Sequence, residues 1–184
     1  RSRSRPRVAF HAPMKPPDHP NPSGDRRIAR LTLDALSRAG FDPFVACTLR
    51  TLDLGGDAGV QSRLFAEAEG EAARLVEALR PDPPALWFTY HCHWKAPDLV
   101  GPAVARALGI PYAISEPILS PRRREGPWAA FARAAEAALR AADLLLWTTL
   151  RDLPALEGFA TLAPLPPFLD PGRGAGSGPD TGPG

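Results

Sequence analysis

The sequence has 184 residues, enough for one domain with a real hydrophobic core. Apolar residues make up 44% and charged residues 23%, which excludes a chain that is disordered, collagen-like or membrane-spanning throughout. The formal charge is +2, but Arg1, Arg3, Arg5 and Arg7 crowd the start; without them acidic residues outnumber basic ones, and no nucleic-acid partner is expected.

Residues 1–6 form a basic leader without an apolar face or a following hydrophobic stretch, so a disordered extension is expected rather than a targeting signal. The only methionine is Met14, and the sequence reads as a processed or truncated product. Residues 7–12 read as a short buried strand ending at Pro13, followed by a proline-rich loop. A helix follows, with Ser23 or Asp25 as N-cap and Gly40 just past its end. Ile28, Leu31, Ala35 and Ala39 are its expected apolar face. Phe44–Cys47 is the second strand, and Leu54–Gly59 a glycine-rich turn. Leu64, Phe65, Ala68, Ala72, Leu75, Val76 and Leu79 then mark a long helix, stopped by Pro81, Pro83 and Pro84.

Leu86–Tyr90 is the third strand, with a loop His91-Cys92-His93-Trp94-Lys95 after it. Pro97 suits the first turn of a helix running to Leu108 and closed by Gly109. Tyr112–Ser115 is a strand whose loop carries Glu116 and Arg122-Arg123-Arg124. A helix over Pro127–Ala141, a strand over Leu144–Thr148, a short helix near Leu153–Glu157 and a strand near Thr161–Leu165 complete the ordered part. The tail from Pro171 is too rich in Gly and Pro to bury a core and is expected to be disordered. Cys47 and Cys92 stand in apolar contexts that read as strands, outside any CxxC pair, and read as buried reduced thiols of a cytoplasmic protein.

Short strands alternating with longer helices predict βαβ units: an α/β, Rossmann-like, doubly wound parallel sheet with helices on both faces. In such a sheet, ligands collect beyond the carboxyl ends of the strands. The loops there hold His11, Lys15, Asp18, His19, Gly24 and Asp25, then His91, His93 and Lys95, then Glu116 and the Arg triplet. No GxGxxG follows the first strand, which argues against a dinucleotide site and an oxidoreductase. Gly24 either opens a helix N-terminus to an anion or serves a turn needing positive φ. His91-x-His93 has metal-ligand spacing only if its loop bends, with Asp18 or His19 as a third ligand; a histidine hydrogen-bonding a sugar hydroxyl or phosphate is the stronger reading, and no metal is expected. Glu116 is a base, a hydroxyl ligand or a turn cap. The Arg triplet is a phosphate or lipid-headgroup clamp or a solvated run, and Trp94 and Trp128 are sugar-stacking or packing residues.

Several stretches in order resemble the N-terminal domain of GT-B glycosyltransferases of the family 4, or group 1, type. They are Arg7-Val8-Ala9-Phe10, Pro22-Ser23-Gly24-Asp25-Arg26-Arg27, Leu86 to His93, Gly101 to Tyr112 with its Leu-Gly-Ile-Pro-Tyr ending, Ala141-Ala142-Asp143-Leu144, and Pro166 to Asp170. The resemblance covers residues 7–170 and implies the acceptor-side domain of an enzyme that moves a sugar from a nucleotide-sugar donor to a sugar or lipid-linked acceptor, with peripheral membrane contact at the inner face as one consequence. It implies no further cofactor. It places Gly24 near the donor diphosphate and acceptor, His91 and His93 in the loop facing the cleft, and Glu116 where many relatives carry a histidine. With Asp25, Lys15 and Lys95 beside them, Gly24, Asp25, Lys15, His93 and Lys95 are the expected substrate-binding residues and His91 and Glu116 the expected catalytic ones. The family's donor site, with its E-x7-E glutamates, belongs to a C-terminal domain absent from this sequence, so these residues alone are not expected to turn over. The competing reading is a non-catalytic Rossmann-like module that binds an anionic or sugar ligand.

Overall fold

The structure, a computed structural model, describes residues 4–166. The first three residues of the basic leader, the Pro167–Asp170 part of the last resembling stretch and the glycine-rich tail lie outside the described residues. Six parallel strands form one sheet in the order β2-β1-β3-β4-β5-β6. They are β1 (Arg7–His11), β2 (Asp42–Cys47), β3 (Leu86–Tyr90), β4 (Tyr112–Ser115), β5 (Leu144–Trp147) and β6 (Thr161–Pro164). The α-helices are α1 (Gly24–Arg38), α2 (Ala58–Leu79), α3 (Gly101–Leu108) and α4 (Ala129–Ala141). This is the α/β doubly wound sheet that the alternation predicts.

Side chains alternate across the central strands and split the core in two. Val8, Phe10, Phe88, Tyr90 and Ala113 face α1 and pack around Ala29. Ala9, Trp87, Tyr112 and Ile114 face the other way, against Ala68, Leu75, Val104, Ala135 and Leu139 of α2, α3 and α4. The edge strand β2 tolerates Pro43, as an edge position can. Arg7 opens β1: its Nη1 donates to the Asp82 carbonyl at 3.0 Å, and its guanidinium lies 4.8 Å over the Phe44 ring.

The face of α1 and the starts of α2 and α3 differ from expectation, each for a local reason. The face of α1 is rotated: Ala29 and Thr32 are buried and Ile28, Leu33 and Leu36 pack beside them, while Ala35 and Ala39 are exposed. Thr32 tolerates burial because its Oγ1 donates to the Ile28 carbonyl at 2.8 Å. Helix α2 begins at Ala58, inside the expected turn, because Asp57 caps it by accepting the Val60 amide at 2.9 Å. Helix α3 begins at Gly101 rather than Pro97, because residues 97–100 wrap around the buried Asp98 carboxylate. That carboxylate accepts the amides of Val100 (3.0 Å) and Gly101 (2.8 Å) and the hydroxyls of Thr89 and Tyr112.

Both cysteines are buried and unbridged, and burial pushes each thiol up to about 12, so they stay protonated. Cys92 lies just beyond β3 rather than within a strand. No described helix is long and apolar enough to cross a membrane.

Candidate functional site

The chain order reverses between β1 and β3: the first crossover leads to β2 on one side, and every later strand adds on the other. That arrangement opens a crevice beyond the carboxyl ends of β1 and β3, the usual ligand position in such sheets. Ser23 caps α1 by accepting the Arg26 amide at 3.2 Å, which sets Asp25 in the first helical turn at the crevice. Across it, the backbone turns sharply after β3: His91 has φ +60°, a left-handed conformation that few non-glycine residues adopt. The turn brings His91 Nδ1 to 2.9 Å from Asp25 Oδ1.

This pairing fixes the chemistry of both groups. The hydrogen bond from His91 holds the Asp25 carboxyl below its usual range, against the opposing effect of burial, with the charges of His91 and Lys15 adding to it. An ionised Asp25 accepts the Nδ1 proton, so neutral His91 keeps its lone pair on Nε2. Among the described residues Nε2 is buried without a hydrogen-bond partner. In that tautomer it is a hydrogen-bond acceptor.

The bend also brings the His93 ring against His91, edge on, with centroids 5.7 Å apart. The two rings do not converge as ligands, since His93 Nδ1 accepts the Lys95 amide at 3.0 Å while His91 Nδ1 is held by Asp25. Burial, then the charges of His91 and Lys95, pushes the His93 imidazole down to about 4, so it is neutral near pH 7. Among the described residues no three His, Cys, Asp or Glu side chains gather as a metal site.

Glu116 stands one strand further, beyond β4, and it too is left-handed, with φ +52°. Its amide donates to the Leu146 carbonyl at 2.9 Å. Its carboxyl lies near the Tyr90 hydroxyl and His91, and burial raises its pKa. Beside it is a cavity of about 260 Å³ lined by Ile28, Thr32, Tyr90, Ser115, Glu116 and Thr148, among others. Among the described residues the buried Ser115 hydroxyl has no hydrogen-bond partner. Cavities for drug-sized ligands span about 300–1,000 Å³, so this one is small; its lining is mostly apolar, with the hydroxyls of Tyr90, Ser115 and Thr148 among its walls.

The other expected site residues divide. Gly24 is the first residue of α1 with open space where a Cβ would be, and it is absent from the residues of positive φ, so the turn explanation for it fails. Lys15 is half-buried and near enough to Asp25 to lower its pKa. The Lys95 ammonium lies over the Trp94 and Trp128 rings. His11 is no loop residue: it ends β1 fully buried, with Nδ1 3.2 Å from the Cys47 carbonyl and Nε2 3.9 Å from Asp98. The sequence does not mark Tyr90 and Ser115, because both sit inside apolar strand patterns. Asp53, which organises the loop after β2, carries a readable signal: an Asp two residues before Gly55-Gly56, the pattern of an Asx turn.

No protein-family model matches the chain, and no curated protein sequence does. Among solved structures, the chain is similar to a UDP-glucosyltransferase from Polygonum tinctorium, capable of glucosylating indoxyl and complexed with 3,4-dichloroaniline, at 14% identity, 96% of this chain, 55% of that chain and a TM-score of 0.50. It is also similar to Glycyrrhiza uralensis UGT73P12 complexed with glycyrrhetinic acid 3-O-monoglucuronide, at 10% identity, 89% of this chain, 49% of that one and a TM-score of 0.48. The chain thus spans about half the length of the structures it matches. At such identities the likeness speaks for architecture alone, and the architecture is a Rossmann-like sheet of the kind found in GT-B glycosyltransferases.

Proposed function

We propose that this chain is the acceptor-side domain of a GT-B glycosyltransferase of the family 4 type, which acts with a C-terminal donor-binding domain to move a sugar from a nucleotide sugar to a sugar or lipid-linked acceptor. The observation that carries the reading is the Asp25–His91 pair with Nε2 left open at the switch point of the sheet. Glycosyl transfer needs an acceptor hydroxyl held and relieved of its proton as its oxygen bonds the anomeric carbon, while the nucleoside diphosphate leaves with the bonding electrons. Nε2 accepts that hydroxyl, and Asp25 holds the ring in one tautomer and stabilises the imidazolium that proton transfer creates. Glu116, with the cavity beside it, holds a sugar ring through its hydroxyls. Gly24 leaves the amides at the start of α1 open to an anionic group of donor or acceptor. His93, neutral and anchored, packs against His91 and limits its motion.

The test is transfer of a radiolabelled sugar from a nucleotide sugar to acceptor, with and without a C-terminal donor domain added in trans. Transfer is expected only with both parts, and His91→Ala should lower its rate by about 10²–10⁴-fold. Two results overturn the reading: transfer by the 184-residue chain alone, or binding of a sugar ligand with no transfer under any combination, which leaves a non-catalytic module.

A further inference from the structure

Three loops at the carboxyl edge of the sheet meet in a platform next to the Asp25–His91 pair. The loop after β3 supplies Trp94 and Lys95, and the segment after β4 supplies Arg123 and Trp128. The two indoles meet edge to face with centroids 5.6 Å apart. The Arg123 guanidinium lies 4.8 Å from the Trp94 centroid and 5.0 Å from that of Trp128. The Lys95 ammonium lies 4.9 Å and 5.7 Å from the same two rings.

The third loop, after β2, locks this arrangement. Asp53 accepts the amides of Gly55, Gly56 and Asp57 at 2.9–3.1 Å, and the Gln61 amide at 2.8 Å. Gln61 also donates to the Pro127 carbonyl (2.9 Å), and the Trp128 indole donates to the Asp53 carbonyl (3.1 Å). The Asp53 amide in turn donates to the Lys95 carbonyl at 3.0 Å. Both sides of the platform are therefore fastened to one buried node.

What the platform holds is unneutralised charge. Among the described residues neither Lys95 nor Arg123 pairs with a carboxylate, whereas neighbouring Arg124 is bound to Glu136 at 2.6 Å. An indole face attracts a cation but cancels none of its charge, and the attraction is modest, about 0.5–1 kcal/mol at an exposed site. Two cations drawn to the same pair of rings repel one another, and an anion between them relieves that. The ring faces are taken by the cations, so the tryptophans position charge here rather than stack a sugar. His93 links platform and pair: its ring centroid is 5.0 Å from that of Trp94 and 5.7 Å from that of His91.

We propose that Lys95 and Arg123, held by Trp94 and Trp128, form a phosphate-binding subsite for a phosphorylated acceptor, whose hydroxyl reaches His91 while its phosphate or pyrophosphate sits on the platform. The acceptor assignment rests on the transferase reading; the phosphate site does not. The shared chemistry is a phosphate ester on a sugar, whether free in solution or carried at a membrane surface by a lipid.

The experiment is direct binding, which needs no turnover. Titration calorimetry of the 184-residue chain uses glucose 1-phosphate and inorganic pyrophosphate as probes, with glucose as the uncharged control. Co-flotation uses phosphatidylcholine vesicles with and without phosphatidylglycerol. Saturable binding of a phosphate probe is expected, weakened about tenfold by K95Q and by R123Q, and unchanged within about twofold by R124Q. Binding of the soluble probes identifies a free sugar phosphate; binding only to anionic vesicles, with the same losses, identifies a lipid-borne one. The proposal is overturned if no probe binds, if the K95Q/R123Q double variant binds as well as the parent, or if these variants lose their circular dichroism signal, which makes the cations structural. A chain that binds phosphate here yet transfers no sugar even with a donor domain added refutes the transferase reading and leaves the site standing.

Discussion

Asp25 and His91 lie 66 positions apart in sequence and 2.9 Å apart in space, one on the first turn of α1 and the other on the left-handed turn after β3. Strand order brings them together, since β1 and β3 are neighbours although β2 separates them along the chain. Asp25→Asn should abolish the tautomer preference of His91. In ¹⁵N-resolved NMR the neutral ring of the parent should carry its proton on Nδ1, and that of the variant should be a mixture of the two tautomers. The Asp25 side chain is 36% exposed, so the stability lost should be about 1 kcal/mol rather than the 3–5 kcal/mol of a deeply buried pair. The Asp25 pKa is lowered in the fold, so its contribution is present above the ordinary value of 3.8 and disappears as pH falls through the folded value. The acid limb of the parent's stability curve should be steeper than that of the variant, measured by urea denaturation.

Asp98 is the opposite case, 1% exposed and bonded on all sides. Its carboxylate ties Thr89 of β3 to Tyr112 of β4 and caps the start of α3. Trp87 Nε1 completes the network by donating to the Thr89 hydroxyl at 3.0 Å. Asp98→Ala strands two buried hydroxyls and two amides at once. A loss of about 3–5 kcal/mol is expected, read as a fall in the urea midpoint at constant m-value.

The two residues also mark how far the sequence can be read. Strand and helix order is legible because it rests on local patterns: Val8 and Phe10 face one way, Ala9 and His11 the other, and the helices carry apolar residues at helical spacing. Gly24, Asp25, His91, His93 and Glu116 are legible as cleft residues because each follows a recognisable strand. Their pairing is not, because it depends on strand order and on left-handed turns at His91 and Glu116, where no glycine gives warning. Asp98 is hidden for another reason: an acidic residue just after Pro97 looks like an ordinary first-turn helix residue. The rotated face of α1 follows from Thr32 satisfying its own hydroxyl, which polarity alone does not reveal.

His93 supplies a pH window of its own. Its ordinary value of 6.5 falls to about 4 in the folded chain, first through burial and then through the charges of His91 and Lys95. Between those two values the unfolded chain binds more protons than the folded one, so stability rises with pH there. Acidification from pH 6.5 to about 4 should therefore weaken the fold, by protonating an imidazole whose Nδ1 accepts the Lys95 amide. His93→Gln should flatten that part of the curve and leave the limb below pH 3.8, which belongs to Asp25. Urea midpoints measured at half-unit pH steps separate the two; equal slopes for parent and variant between pH 6.5 and 4 would contradict the assignment.

Two glycines should respond oppositely to the same substitution. Gly24 starts α1 without positive φ, and an added Cβ would meet nothing within 4 Å. Gly24→Ala should therefore stabilise the fold by about 0.5 kcal/mol, because alanine has less backbone freedom to lose. On the proposed role of Gly24, the same methyl stands over the amides at the helix start and should lower affinity for an anionic group while stability rises. Gly56 has φ +69°, and its Cβ would stand 2.5 Å from Pro127 Cβ and 3.3 Å from the Trp128 ring. Gly56→Ala should destabilise by about 1–3 kcal/mol, through backbone strain and a clash with the Pro127 ring. For a chain of this size each kcal/mol shifts Tm by about 2–4 °C, so thermal melts of the two variants should move in opposite directions from the parent. A Gly24→Ala variant that melts several degrees lower would mean that the start of α1 is packed more tightly than its open surroundings indicate.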